Sequence, residues 1–164
     1  MGQDRIAVLL YGTHHWRKGI LIKALGMLDT RFSYFKDVPI DWISKLSNEE
    51  IPVIHIENLS EINEIGEKLP YKVIRVFIWE PIEVLEKRLD KLYPDDPEVV
   101  KHHMEKAKEE LLHLSQENIS NLFDQVVQDD KSPVDTGLEL IYNLEERSGF
   151  QDDLITFNAY IHRL

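Results

Sequence analysis

Ile6-Ala7-Val8-Leu9-Leu10-Tyr11-Gly12-Thr13-His14-His15-Trp16-Arg17-Lys18-Gly19-Ile20 is the stretch from which the rest of the chain is read. A short apolar run, Ile6 to Leu10, leads into a turn-like segment, Tyr11 to Gly19. Ile20, Ala24, Leu25 and Leu28 then follow near helical spacing. The pattern is strand, loop, helix. Gly12, followed by Lys18, has the outline of a phosphate-binding loop, in which backbone N–H groups, a helix N-terminus and a lysine converge on phosphate oxygens. Two positions depart from that outline. Arg17 stands where a second glycine is expected, and Gly19-Ile20 stands where a Ser or Thr would hold magnesium.

Working outward, Arg31 to Lys36 predicts a short strand, Ile40 to Leu46 a short helix around Trp42, and Ile51 to Ile56 a second β segment. Asn58 or Ser60 caps a helix that ends near Leu69-Pro70. Lys72 to Trp79 is the strongest strand, apolar enough for burial in a parallel sheet. Pro81 opens a helix to about Leu92, and Tyr93 to Pro97 is a polar break. Val100, Met104, Ala107, Leu111 and Leu114 form one buried stripe on a long charged helix. Phe123 to Gln128 reads as the last strand, and Val134 to Arg147 as a helix closed by Gly149. The tail from Phe150 to Leu164 fits either a strand or a helix, and would pack on the body or on a second subunit.

Strands alternating with helices imply right-handed crossovers. The expected fold is α/β, a three-layer sandwich with a mostly parallel five-stranded sheet of the P-loop kinase kind. Ligands then sit beyond the carboxyl ends of the strands, where the Gly12–Lys18 loop lies. A core over residues 1–149 and a tail over 150–164 are expected.

The chain has 164 residues, a formal net charge of −11 and no cysteine. One domain with a sizeable core fits that length. The charge argues against direct nucleic-acid binding, because polyanions need a basic face. It suits a well-solvated acidic protein, a basic protein partner, or mimicry of nucleic acid. Without cysteine there is no disulfide, thiolate catalysis or Cys-based metal site. The N-terminus lacks a signal-peptide shape and no apolar run approaches membrane-spanning length, so a cytoplasmic location is expected.

Longer motifs carry a resemblance. Phe77-Ile78-Trp79-Glu80-Pro81, Leu85-Glu86-Lys87-Arg88-Leu89 and Ala107-Lys108-Glu109-Glu110-Leu111 occur in order. Phe123 to Asp130, Arg17 to Leu25 and Ile54-His55-Ile56-Glu57 match further segments. Together these resemble guanylate kinase, from Arg5 to about Arg147. The resemblance implies nucleotide binding by Gly12, Arg17, Lys18, Gly19 and Gln128. It implies catalytic roles for Lys18 and Arg88, and magnesium at Glu57.

The departures fall at the chemistry. Leu92, His102 and His103 hold the family's lid-arginine positions, leaving a lid remnant at 90–98. Gln128 replaces an Asn, and His55 replaces an Asp. Only residues 36–50 remain of the lobe that holds the nucleotide base. The resulting expectation is a degenerate member without kinase activity that acts as a binding or regulatory module, with Trp16 and Trp42 as partner anchors or as cover for the vacated groove. The alternative is a nucleoside monophosphate kinase using ATP and Mg2+. A protein partner, a nucleotide and a homodimer all remain open. His14-His15 with His102-His103 would offer a metal site if the loop meets the lid. Asp124, Asp129 and Asp130 would hold a cation or simply cap a turn.

Overall fold

β1 (Ile6–Gly12) is the middle strand of a five-stranded, all-parallel sheet. β2 (Phe32–Phe35), β3 (Ile51–His55), β4 (Lys72–Trp79) and β5 (Gln125–Gln128) complete it in the order β2-β3-β1-β4-β5. The computed structural model describes residues 6–35, 49–114, 119–146 and 150–164. The expected helix at 40–46, Trp42, nearly all of the reduced lobe and the closing Gly149 lie outside them. Register runs Val8 to Val53 on one side of β1 and Val8 to Ile74 on the other.

Side-chain alternation splits each central strand between two layers. Val8, Leu10, Val76 and Ile78 face the layer built by Leu21 and Leu25 of α1 (Lys18–Leu28), together with Leu140 and Leu144 of a later helix. Ala7, Leu9, Phe77 and Trp79 face the other layer, with Ile62, Leu111, Phe123 and Phe157. Burial on both faces is why β4 reads as a continuous apolar run. Each fully buried Leu or Phe contributes about 2 kcal/mol.

Local chemistry sets the helix ends. The Asn58 side chain accepts from the Ser60 N–H at 3.2 Å, opening a 3-10 turn at Leu59–Glu61 that runs into α2 (Ile62–Lys68). α3 (Ile82–Leu92) and α4 (Pro97–Leu114) form a hairpin sealed by Leu85, Leu89, Val100 and Ala107. Asp96 Oδ1 accepts from the Val99 N–H at 3.2 Å, with Pro97 at the first helical position. After the short α5 (Ile119–Leu122), Ser132 Oγ accepts from the Asp135 N–H at 3.1 Å and starts α6 (Pro133–Glu146).

The tail takes the helical option, α7 (Phe150–His162). Phe157, Tyr160 and Ile161 are buried against the body while Ile155 stays exposed, a helical and not an alternating pattern. Among the described residues no helix is long and apolar enough to cross a membrane.

Candidate functional site: the loop after β1

The loop from Thr13 to Arg17 joins β1 to α1 at the carboxyl edge of the sheet. It is folded onto itself. The Trp16 N–H donates to the Thr13 carbonyl at 3.0 Å and the Lys18 N–H to the Trp16 carbonyl at 2.8 Å. The Thr13 N–H continues the ladder to the Ile78 carbonyl at 3.1 Å. His15 has φ 63°, a left-handed conformation that costs a residue bearing a Cβ and marks a sharply bent loop. Gly12 is required sterically. A Cβ there would lie 2.3 Å from the indole ring of Trp16, which rests on the glycine and packs against His55.

Two arginines clamp the loop to carboxylates at the strand ends. Arg17 donates through Nη2 to Asp129 Oδ1 at 2.6 Å and through Nε to Oδ2 at 3.2 Å. It also caps the Lys131 carbonyl at 2.7 Å. Asp129 is fully buried and accepts from Thr136 Oγ1 as well. The Asp129 hydrogen bond, more than any other influence, holds the Arg17 guanidinium protonated. Arg88, on α3, donates to Glu80 at 2.7 and 3.2 Å and reaches the carbonyl and ring of His15. Burial pushes the Glu80 carboxyl up, against the opposing pull of Arg88. Buried carboxylates of this kind need such partners, because desolvation is costly.

α4 grips the loop from the opposite side. Glu110 accepts from the Tyr11 hydroxyl at 3.0 Å and from the His14 N–H at 3.1 Å. Seven residues earlier on the same helix face, His103 Nδ1 lies 2.9 Å from His14 Nε2, with the two rings stacked. Burial raises the Glu110 carboxyl and the Tyr11 phenol. Burial, followed by the neighbouring imidazoles and Lys106, lowers His14, and similar influences lower His103.

The Lys18 N–H is taken by the Trp16 carbonyl, while its side chain, at the start of α1, makes no hydrogen bond or ion pair with a described residue. The first turn of α1 holds no acidic residue and no side-chain cap. Near Lys18, the buried His55 Nδ1 has no hydrogen-bond partner, and burial together with Lys18 lowers the pKa of this imidazole. On the β3 side of the loop a cleft of about 590 Å³ is lined by Tyr11, Glu57, Asn58, Ser60, Glu110 and His113.

The structure therefore brings Gly12, Trp16, Arg17, Lys18, Gly19 and Arg88 to one end of the sheet. Glu57 is exposed on the cleft wall, and Gln128 is turned to Asp130 at 2.9 Å. The three aspartates do not act together: Asp124 serves Arg75, Asp129 serves Arg17, and Asp130 lies by Gln128 and Lys131. Of the histidine pairs, the loop and α4 do meet. Among the described residues, however, no group of three or more ligating side chains is placed to hold a metal ion. Neighbouring helical positions diverge, so His103 faces the loop and His102 lies beyond it. Sequence reasoning gave no role to Glu80, Glu110 or Tyr11. Glu80 and Tyr11 carry a readable signal, since both sit at strand carboxyl ends.

No family model matches the chain, and no curated protein matches it. Among solved structures, the crystal structure of a fungal RNA kinase aligns over 99% of this chain and 97% of its own, with a TM-score of 0.56 and 13% identity. The fold is kinase-like. At that identity the likeness establishes the fold alone. It also corrects the resemblance to guanylate kinase, since the similar structure is an RNA kinase and no family model supports the guanylate kinase assignment. The misleading motifs are an apolar strand, a proline, an amphipathic helix and a strand ending in aspartates. The kinase-like architecture asks for these at the same places whatever the substrate, so they report the scaffold more than the family.

Proposed function

We propose that this chain is a non-catalytic binding or regulatory module built on a kinase-like fold. One observation carries the reading: both arginines beside the loop, and the His14 N–H within it, are already engaged within the chain. The Arg17 guanidinium is held by Asp129, Arg88 by Glu80 and His15, and the His14 N–H by Glu110. Phosphoryl transfer depends on positioned cations that neutralise the transferring group. Here each arginine is neutralised by a buried carboxylate, and Gly19 and Ile20 supply no hydroxyl for magnesium.

Nucleotide binding with transfer from ATP is the second reading. It is favoured by the Lys18 side chain, which has no described partner, at a helix start without a competing acid. In that case Glu57 would hold Mg2+ beside the cleft. The similar structure is that of an RNA kinase. For this chain, an RNA strand would have to approach a net charge of −11, which opposes polyanion binding.

Calorimetric titration with ATP, GTP and GMP, with and without magnesium, separates the two. The first reading expects no heat at millimolar nucleotide. Micromolar binding abolished by Lys18→Ala would favour the second, and phosphoryl transfer from ATP in a direct assay would overturn the first.

A further inference from the structure

Rings close the seam between the loop and α4. His14 Nε2 lies 2.9 Å from His103 Nδ1, the His15 ring centroid lies 4.9 Å from that of His103, and Tyr93 stacks on His103 at 5.8 Å. Of the two facing nitrogens of His14 and His103, one donates and the other accepts, so the contact carries a single hydrogen. A first added proton goes to an outer nitrogen and leaves an imidazolium donating to an imidazole. A second leaves two donors face to face with no acceptor, so the bond is lost and two charges meet. His15 is bound by the same logic. Arg88 Nη1 lies 3.3 Å from His15 Nδ1, and a guanidinium only donates, so this contact lasts only while Nδ1 is unprotonated.

The charges facing the seam come from every element packed on it. Arg88 of α3 reaches the His15 carbonyl, and Lys106 and His102 of α4 act on the histidine pair. Glu110 of α4 is the facing carboxylate. It accepts from the His14 N–H at 3.1 Å and from Tyr11 of β1, and its single charge does not offset two added protons. Glu80, at the end of β4, is committed to Arg88. Burial, then the neighbouring imidazoles and Lys106, lowers both His14 and His103. The closed loop also holds His15 at φ 63°, a strained conformation that release would relax. We propose that His14, His15 and His103 form a proton-operated latch between the loop after β1 and α4. It is closed at neutral pH, holds one added proton, and opens when a second binds, while the sheet stays folded. Arg17 keeps the far end of the loop tied to Asp129. Opening returns the His14 N–H and the Glu110 carboxylate to solvent at the edge of the cleft. Access to the site is then gated by acid whichever ligand it takes, a regulation that goes beyond the binding-module reading and does not depend on it.

The test is amide NMR of the full chain across the histidine range, from about pH 8 to about pH 5. The amides of Thr13 to Lys18 and of His102 to Glu110 are expected to shift through one shared transition centred below the ordinary histidine value. Val8, Val76 and Val126 in the sheet stay in place, and far-UV circular dichroism does not change. Exchange of the His14 N–H with solvent, corrected for its intrinsic pH dependence, should quicken about tenfold through that transition. His103→Gln keeps a side chain that donates and accepts but takes no charge, so its loop should show neither the transition nor the faster exchange. His14→Gln carries the same expectation from the other side of the seam. His102→Gln removes a titrating ring that lies beyond the seam and should leave the transition in place. The proposal is overturned if the parent loop shows no transition, if both His103→Gln and His14→Gln retain it, or if the sheet amides and circular dichroism change with it, which would make the event global unfolding. The readout needs no ligand, and nucleotide titration of the same protein reports separately on the module reading, so failure of one is told apart from failure of the other.

Discussion

Arg17 reaches across the strand ends to Asp129, with Nη2 at 2.6 Å from Oδ1 and Nε at 3.2 Å from Oδ2. The carboxylate is fully buried while the guanidinium keeps some contact with solvent. This pair ties the loop after β1 to the segment after β5. A planar guanidinium on a carboxylate is a bidentate contact that lysine does not reproduce.

Removing one partner leaves an uncompensated charge. Arg17→Ala strands the Asp129 carboxylate in the interior and is expected to cost about 3 kcal/mol of stability. Arg17→Lys should recover only part of that loss, since it restores charge without the fork. Urea unfolding monitored by circular dichroism measures both. A loss below about 0.5 kcal/mol for Arg17→Ala would show that the pair does not lock the loop.

His14 and His103 give the loop–α4 contact a pH dependence. Burial, then the neighbouring His103, His15, Lys106 and His102, lowers His14, and burial with His15, His102 and Lys106 lowers His103. An imidazole with a lowered folded pKa takes its proton later than it does in the unfolded chain. The stability it contributes is complete above the ordinary histidine value and is lost as pH falls through the lowered one. Glu110 and Glu80 act in the opposite sense, because burial raises both and their protonation favours the folded state. The useful quantity is therefore a difference. Between pH 7.5 and 5.5 the melting temperature of the wild type should fall more steeply than that of His14→Gln. Parallel curves would show that the histidine contact contributes nothing.

Gly12→Ala should drive the Trp16 indole from its seat, because the new methyl would lie 2.3 Å from the ring. The expected cost is about 2 kcal/mol, typical of overpacking. In a Trp16→Ala background the same substitution should cost almost nothing, so a double-mutant cycle isolates the contact. A Gly12→Ala penalty that survives in that background would place the constraint in the backbone instead.

At Gly137 two effects oppose each other. Alanine in a helix interior gains about 1 kcal/mol over glycine. The new Cβ would meet the end of the Leu28 side chain at 2.9 Å, a flexible group that is only partly buried. Gly137→Ala is therefore expected to be neutral within about 0.5 kcal/mol, and Gly137→Leu to separate the helices at a cost of about 2 kcal/mol. Thermal unfolding of the two variants measures the contrast.

The central strands at Ile6 to Leu10 and Lys72 to Trp79 were legible because a continuous apolar run is a local property, and burial of both faces matches it. So were the helix starts at Asp96-Pro97 and Ser132-Pro133, where a side-chain oxygen and a proline act within a few residues. The tail was not, because Ile155, Phe157, Ala159 and Ile161 alternate as in a strand while Leu154, Phe157 and Ile161 fit a helix. Contact with Trp79 and the core chose between them. Family motifs misled for a related reason: the strand–turn–helix units behind them belong to many kinases.

The order of residues by itself determined an α/β scaffold with a mostly parallel sheet and a loop at its ligand-bearing edge. Hydrophobic period, turn chemistry and capping all act over short stretches of chain, so they can be read along it. Only the tertiary structure decided that Asp129 answers Arg17, that Glu80 answers Arg88, and that Glu110 and His103 close on His14. Asp129, Glu110 and His103 lie about ninety residues or more from their partners, and even Glu80 meets Arg88 only because the strand end and α3 are folded together; desolvation makes each buried charge seek whichever opposite charge the fold delivers.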